Sequence, residues 1–320
     1  SRKLLRRAKD DVTAAGNTIS GYTLRLNTRA KRRDDLQNAI RELNQRLDSV
    51  TAKARVFRAM ERDYESYQKS VRQVMQEAQR GSLRNVHGPV SRLIRTEDKL
   101  TVAIEIALGA AMQQIVVGTE ADGKAAISYL KRTGGGRATF LPLNTIQGKT
   151  LQENGLENCR GFVGIASQLV TSEDRYRGIV ENLLGRTVIV NDIDAAIQMA
   201  QKYKNRFKIV TLDGQVMNAG GSMTGGSVNK DAGILSRANE LEKLTKQEKK
   251  LQTQQELAQV DVREAQRSLD QVEFELTAAR DQLRSAEDQV LRLQGQEKQH
   301  QVLLEAIQAA GETSLREAES

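Results

Sequence analysis

The chain has a single cysteine, Cys159, no tryptophan, and only 3% aromatic residues in 320 positions. One cysteine excludes an internal disulfide framework and a zinc clamp built from cysteines. So few aromatic rings argue against a stacking platform for single-stranded bases. No apolar run approaches the ~18 residues that span a membrane, and no secretory signal is present. We therefore expect a cytoplasmic protein with no membrane partner. Because the first residue is not Met and both termini have helix-like sequence, we also expect a fragment of a longer protein.

Glycine and proline are concentrated in the middle of the chain. Positions 81–236 hold 20 of the 24 glycines and both prolines, whereas the two flanks together hold four glycines. Since both residues interrupt helices, this distribution predicts a folded module between two long helices. The expected segments are an N-terminal coiled-coil arm (1–80), a first lobe (81–145), a linker (146–160), a second lobe (161–236) and a C-terminal arm (237–320).

Both flanks carry apolar residues spaced alternately three and four apart, which predicts a left-handed coiled coil. In the second flank these residues are Leu269, Val272, Leu276, Ala279, Leu283, Ala286, Val290 and Leu293, continued by Leu304 and Ile307. In the first flank they are Leu36, Ile40, Leu43, Leu47, Val50, Ala54 and Phe57, resumed after a slip by Tyr67, Val71, Val74 and Ala78. Before Arg33 the apolar signal is thin, and Gly16 and Gly21 indicate a break or bend.

The charge of the flanks favours their pairing with each other. Residues 1–80 carry 19 basic and 10 acidic side chains, whereas residues 237–320 carry 12 and 17. The net charges are therefore +9 and −5, and the middle contributes +4 to the total of +8. Opposite charges on flanking positions select coiled-coil partners. If the module returns the chain near its entry point, the two helices pair antiparallel.

The middle of the chain contains an internal repeat, in which positions 88–109 match positions 164–185. Eight positions are identical between the two copies, including the pairs Glu97-Asp98 with Glu173-Asp174, Glu105 with Glu181, and Gly109 with Gly185. Each copy continues with a β-rich triplet (115–117 and 188–190), a helix-like stretch and a further strand. The pattern predicts an α/β (α+β) module of two pseudo-symmetric lobes. Short sheets leave edge strands, so the first lobe of one chain can join the second lobe of its twin in a closed ring.

A glycine motif, Ala-Gly-Gly-Ser-Met-Thr-Gly-Gly-Ser, occupies positions 219–227 just before the second flank. Glycine pairs tolerate positive φ and close backbone approach. Together with the coiled coil, the two lobes and Ile-Val-Thr-Leu-Asp-Gly at 209–214, this motif resembles the hinge of the bacterial SMC (structural maintenance of chromosomes) proteins. The resemblance covers the whole chain.

The resemblance implies several expectations for function. The hinge would homodimerise, joining two arms into a DNA-enclosing ring for chromosome condensation and segregation. The dimer interface would contain Gly220, Gly221, Ser222, Met223, Thr224, Gly225 and Gly226. No catalytic residue, metal site or cofactor is expected in this chain. The parent would bind ATP and Mg at its head domain, contact kleisin complex subunits there, and associate with the nucleoid.

The resemblance also implies weak, sequence-independent binding of double- or single-stranded DNA through basic residues. The candidates are Arg80, Arg84, Lys131, Arg132, Arg137, Lys202, Lys204, Arg206, Lys208 and Lys230. Phosphate contacts require only charge and reach, so ordinary solvated surface cations remain an alternative for each. A purely architectural dimerising spacer without DNA contact remains the second interpretation of the chain.

Other site patterns are incomplete. Gly148-Lys149-Thr150 ends like a phosphate-binding P-loop, but Leu143 occupies the position of its first glycine. Gly134 to Gly136 follow a predicted helix and indicate its stop. The paired acids occur once per lobe, which indicates helix N-termini. An α/β enzyme with coiled-coil arms would require a convergent polar site, and the two histidines do not form one.

Overall fold

A computed structural model describes residues 2–228 and 233–318. The helices are α1 (Arg2–Arg62), α2 (Lys69–Gln79), α3 (Val90–Leu93), α4 (Thr101–Leu108), α5 (Glu120–Thr133), α6 (Arg177–Leu184), α7 (Ile193–Lys202) and α8 (Ile234–Ala318). The strands are β1 (Val86–Pro89), β2 (Arg95–Thr96), β3 (Ile115–Val117), β4 (Phe140–Pro142), β5 (Phe162–Ile165), β6 (Val170–Thr171), β7 (Thr187–Val190), β8 (Lys208–Thr211), β9 (Val216–Met217) and β10 (Met223–Thr224). The chain divides into an arm unit, Ser1–Asp48 with Lys249–Ser320, and a two-lobed unit, Ser49–Glu248.

The arm unit is an antiparallel helix pair, as predicted. Asn44 accepts a 2.6 Å hydrogen bond from Gln255, and Arg2 forms a 3.4 Å ion pair with Glu297. Residue numbers therefore fall along α8 as they rise along α1. The predicted seam is confirmed by burial: Leu269, Val272, Leu276 and Ala279 are buried, and Leu283, Ala286, Val290 and Leu293 are half-buried.

The predicted break near Gly16 and Gly21 was wrong, because α1 runs without interruption from Arg2 to Arg62. Although apolar residues are sparse in this part of α1, they form a further heptad seam. Its partly or fully buried residues are Leu5, Ala8, Val12, Ala15, Ile19, Tyr22 and Leu26. Glycine costs a helix about 1 kcal/mol relative to alanine, and packing along α8 outweighs that cost. At the other end, Leu304 and Ile307 are each 59% exposed. Their spacing predicts seam positions. The described part of α1 begins at Arg2, which pairs with Glu297, so no described residue of α1 lies opposite Leu304 and Ile307.

The first arm is also shorter than predicted. Helix α1 ends at Arg62, and the chain turns at Tyr64, whose φ is +52°. The residues predicted to resume the coiled-coil seam, Val71 and Val74, lie in α2, where they are buried in the core of the first lobe. Helix α2 packs against α5 there, so its apolar stripe faces the lobe and residues 63–80 are not coiled coil.

The two lobes share one topology, which confirms the predicted repeat. The first sheet has the order β1-β3-β4, and the second has the order β5-β7-β8 extended by β9 and β10. In each, the first pair is antiparallel and the next pair is parallel. The irregularities at Val86/Gly88 and Phe162/Gly164 fall at corresponding positions of the two copies.

Strand β2 of the first lobe pairs antiparallel with strand β6 of the second lobe. Arg95 lies opposite Thr171, which is its own counterpart in the second copy of the repeat. A residue that pairs antiparallel with its own copy defines a local twofold relation between the lobes. Helices α4 and α6 contribute to one apolar core shared by both lobes, and each lobe has a further core of its own.

Residues 146–151 of the predicted linker cross α6. Leu151 donates a backbone hydrogen bond to the Gly185 carbonyl, and Asn182 donates to the Gln147 carbonyl, both at 2.9 Å. Gly178 and Gly185 face this segment without side chains of their own. The linker is therefore a strap that packs on the second lobe.

Candidate functional site

A glycine turn precedes the edge strand β10. Gly220 and Gly221 have φ values of +91° and +100°, a region that favours glycine. The Gly221 N–H donates to the Asn218 carbonyl at 3.0 Å, and the Asn218 N–H donates to the Ser222 carbonyl at 2.8 Å. The turn reverses the chain so that β10 pairs antiparallel with β9.

Strand β10 is the outermost strand of the second sheet, and its side chains are exposed. The Met223 side chain is 57% exposed. A β-carbon added to Gly220 or Gly226 would meet no atom within 4 Å. Among residues 2–228 and 233–318, internal packing therefore leaves open space beside these glycines.

Gly225 has an internal role. A β-carbon there would lie 2.2 Å from Oε1 of Gln215. The same oxygen accepts a 2.8 Å hydrogen bond from the Gly226 N–H, and Gln215 Nε2 donates to the Gly226 carbonyl at 3.1 Å. Gln215 thus closes the loop after β10. Its position explains why residue 225 is a glycine, without a contact to a partner chain.

Strand β4 is a second edge, at the side of the first sheet. Ile115 donates to the Thr139 carbonyl and Leu143 donates to the Val117 carbonyl, both at 2.9 Å. Because backbone groups alternate along a strand, the N–H and C=O of Phe140 point away from β3. The two sheets therefore end at β4 and β10 on one side of their strand orders, and at β1 and β5 on the other.

The basic candidates lie in corresponding places in the two lobes. Lys131, Arg132 and Arg137 are exposed between the end of α5 and β4, and Lys202, Lys204 and Arg206 are exposed between the end of α7 and β8. Arg206 lies 3.5 Å from a carboxylate oxygen of Glu153, and Lys202 lies 3.6 Å from the thiol of Cys159.

Arg80 and Arg84 are exposed between α2 and β1. Arg80 forms a 3.4 Å ion pair with Glu77. The described exposed candidates therefore lie at the C-terminal ends of α2, α5 and α7 and in the loops that follow these helices.

Lys208 does not belong to this exposed set. Its ammonium is half-buried and donates a 3.0 Å hydrogen bond to the Ala107 carbonyl, at the C-terminal end of α4. Burial lowers the pKa of Lys208. Lys208 is therefore less available for a phosphate contact than the exposed candidates, and sequence alone could not reveal this orientation. Lys230, the last basic candidate, lies outside the described residues.

Arg92, which contacts the end of α1, is a residue that sequence reasoning missed. Its guanidinium carbon lies 3.8 Å from the centre of the Tyr64 ring, and it forms a 3.3 Å ion pair with Glu61 as well as a hydrogen bond to the Glu61 carbonyl. Tyr64 and Tyr67 are buried and meet edge-to-face at 5.5 Å. The repeat contained the signal: at the position of Arg92 the second lobe has Gln168.

Glu105 is the second missed residue. Its Oε1 accepts hydrogen bonds from the Leu235 and Ser236 backbone N–H groups, at 2.7 and 3.1 Å, at the start of α8. Burial raises the pKa of Glu105, against the lowering effect of these two donors. A β-carbon on Gly233 would clash with the carboxylate. The sequence showed Glu105 repeated as Glu181 but gave no indication that it caps a helix.

The P-loop interpretation remains unsupported by the geometry. Gly148 belongs to the strap on α6, and a β-carbon there would lie 2.4 Å from the Glu181 carboxylate. An acidic side chain against this loop is unsuited to phosphate. Within residues 2–228 and 233–318, no group of His, Cys, Asp or Glu side chains is arranged to hold a metal ion. None of the helices described is both long and apolar enough to cross a membrane.

These features define a coiled-coil protein with an inserted, two-lobed α/β domain. The family model described as the SMC proteins Flexible Hinge Domain matches residues 83–200. A crystal structure of an asymmetric dimer of the Geobacillus stearothermophilus SMC hinge domain is similar at a TM-score of 0.67 and 33% identity, over 78% of this chain and 98% of that one. The chain therefore belongs to the SMC family and contains its hinge domain.

Curated relatives extend well beyond this segment. The chromosome partition protein Smc of Bacillus subtilis is 40% identical over 66% of this chain, and that of Desulfitobacterium hafniense is 38% identical over the same share. In both, the matched region is 18% of the relative. The chain thus corresponds to under a fifth of the length of these proteins.

Proposed function

We propose that this chain is the homodimerising hinge of a chromosome partition protein. The observation that carries the proposal is the exposed edge strand β10, with Met223 on its surface and open space beside Gly220 and Gly226. The similar Geobacillus stearothermophilus hinge domain is described as a dimer. Exposed strand edges favour pairing with another chain.

In the proposed dimer, β10 of one chain pairs with the β4 edge of its partner. The outward N–H and C=O of Phe140 are available for this pairing, whereas Pro142 has no N–H and limits its length. A twofold axis repeats the contact, so two identical interfaces close a ring. Ser222, Met223 and Thr224 then fill the contact, and the neighbouring glycines allow close backbone approach.

The substitution Met223→Glu tests this contact without backbone strain, unlike a substitution at Gly220 or Gly221. A charge buried at the interface is expected to convert the dimer to a monomer, measured by light scattering across a dilution series. The matched control is Ile127→Glu on α5, a similarly exposed apolar residue at 54%. The proposal fails if the wild-type chain is monomeric, or if Met223→Glu dimerises as tightly as the control.

Sequence-independent DNA binding is the second part of the proposal. Its support is the exposure of Arg84, Lys131, Arg132, Arg137 and Lys204 at helix ends and loops of both lobes. Duplex and single-stranded oligonucleotides are titrated by fluorescence anisotropy at several salt concentrations. We expect affinity to fall steeply with salt, and a Lys131→Glu, Arg132→Glu variant to bind more weakly with a shallower slope. Absence of binding at about 50 mM salt favours the architectural spacer instead.

The role of the longer protein is proposed from its relatives. We assign to the longer protein chromosome condensation and segregation, ATP and Mg binding by a head domain, contact with kleisin subunits, and nucleoid association in the cytoplasm. In this proposal the chain itself performs no catalysis. Its contribution is mechanical: it joins two arms so that the ring can enclose DNA.

A further inference from the structure

The coil base, defined as residues 49–62 of α1 and 234–248 of α8, is fastened to the first lobe. We propose that Arg92 and Glu105 act as two independent latches, one for each helix, and make the first lobe the coil-bearing lobe. The proposal concerns contacts within one chain and holds whether or not the chain dimerises.

Arg92 latches the end of α1. It binds Glu61 through an ion pair and a backbone carbonyl, at the last turn of the helix. It also stacks on Tyr64, the residue at which the chain leaves the helix with a left-handed φ of +52°. A non-glycine residue in this region carries backbone strain, so the turn depends on contacts that hold it. Cation–π and charge-assisted contacts to a partly buried arginine are among the stronger polar interactions.

Glu105 latches the start of α8. A helix begins with N–H groups that have no partner within the helix, and Glu105 accepts two of them. Its negative charge is also favourable at a helix N-terminus. One turn further along, Asn239 donates to the Thr96 carbonyl at 2.9 Å, and one turn beyond that Lys243 pairs with Asp98. The first lobe therefore holds α8 over more than two turns.

A solvent-open cleft of about 390 Å³ lies beside this attachment, lined by Phe57 of α1, by Asp98 and Thr101 of the first lobe, and by Ser236, Arg237, Glu240 and Lys243 of α8. Apolar side chains share the attachment, because Ile234 and Leu235 at the start of α8 are buried in the hydrophobic cores. The polar latches therefore supplement apolar packing at the coil base.

The repeat supplies a comparison within the same molecule. Gln168, the counterpart of Arg92, is exposed, and Glu181, the counterpart of Glu105, lies against Gly148 of the strap and pairs with Arg177 at 3.0 Å. In both copies the acid therefore lies against the segment that follows the opposite lobe, and Glu105 is hydrogen-bonded to that segment. In the first lobe the acid is Glu105 and the segment is the start of α8. The first lobe also has Arg92 where the second lobe has Gln168.

Hydrogen exchange followed by mass spectrometry tests the latches. Because buried amides exchange through local opening, we expect Arg92→Met to raise the exchange rate by at least about fivefold in 56–66 while leaving 233–241 unchanged. Glu105→Met has the opposite expectation, with the increase confined to 233–241. The controls are Gln168→Met and Glu181→Met, which make the same replacements in the second lobe. The two segments report attachment of each helix directly.

The outcomes separate this proposal from dimerisation. Increases no larger than in the matched controls, or equal increases in both segments from either substitution, overturn the independent latches. If Glu105→Met fails to fold, Glu105→Gln retains the volume and one acceptor and must give a smaller increase in 233–241 alone. The latch signals are also measured in Met223→Glu, where they must remain at wild-type values. A dimer that persists in Met223→Glu refutes the proposed interface and leaves the latch results intact.

Discussion

Gly185 is expected to be indispensable for the strap that crosses α6. A β-carbon at this position would lie 2.0 Å from the Lys149 carbonyl oxygen and 2.4 Å from that of Glu181. Ordinary contact begins at 3.4 Å, so in Gly185→Ala the strap would have to retreat until the distance of 2.0 Å becomes 3.4 Å. The conformation itself is not strained, since φ is −68°.

The cost of Gly185→Ala has two contributions. Overpacking costs about 1–3 kcal/mol. A retreat of this size also breaks the 2.9 Å hydrogen bond from Leu151 to the Gly185 carbonyl, which contributes about 1 kcal/mol. We therefore expect a loss of about 3 kcal/mol in the free energy of unfolding of the two-lobed unit.

Gly178→Ala is the matched control on the same helix. Its β-carbon would lie 3.5 Å from the Ile146 carbonyl oxygen, an ordinary contact. Because Gly178 lies inside α6, alanine should stabilise by up to about 1 kcal/mol. Urea unfolding followed by tyrosine fluorescence measures both variants, with unchanged m-values as the check on cooperativity. If Gly185→Ala changes stability by less than about 0.5 kcal/mol, as an ordinary surface substitution would, the close approach of the strap is refuted.

Three further predictions concern other parts of the chain. Leu276→Ala, at a buried seam position of the arm unit, should lower stability by about 2–3 kcal/mol in thermal melts followed by circular dichroism. The control Phe274→Ala, at a side chain that is 76% exposed, should change stability by less than about 0.5 kcal/mol. Equal effects of the two substitutions would contradict the seam. Asp122 has a pKa lowered by its hydrogen bonds to Thr119, so its contribution to stability is present above its unfolded pKa and is lost as pH falls through the folded one. Asp122→Asn should therefore flatten the acid limb of stability against pH, and an unchanged limb would contradict the capping role. Lys208→Met should leave DNA affinity unchanged in anisotropy titrations, and a loss as large as that of the Lys131→Glu, Arg132→Glu variant would return Lys208 to the binding surface.

Local patterns were sufficient where one property repeats along the chain. The heptad spacing gave the seam from Leu269 to Leu293, and the self-match of the middle gave two lobes whose strands follow the same order. Gly134 was expected to stop a helix, and it ends α5 in a left-handed conformation with φ of +62°. These features are local because helix periodicity and backbone freedom depend on neighbouring residues.

The same reasoning failed where a helix faces a different partner. Val71 and Val74 have the spacing of a coiled-coil seam, but spacing alone does not say which surface an apolar stripe covers. Lys208 and Lys204 are close in the sequence, yet only the fold turns one inward to a carbonyl and leaves the other exposed. Gly16 and Gly21 indicated a break, but helix propensity is a weak prior against tertiary packing.

The sequence by itself determined that this chain consists of two helical arms around a duplicated α/β hinge, because heptads, glycine distribution and self-similarity are written along the chain. Only the tertiary structure decided where the first arm ends, which edges the lobes present, and that Arg92 and Glu105 reach the coil base. Those facts depend on contacts between residues far apart in sequence. For Glu105 and Ser236 the separation is 131 residues, and no local pattern encodes such a contact.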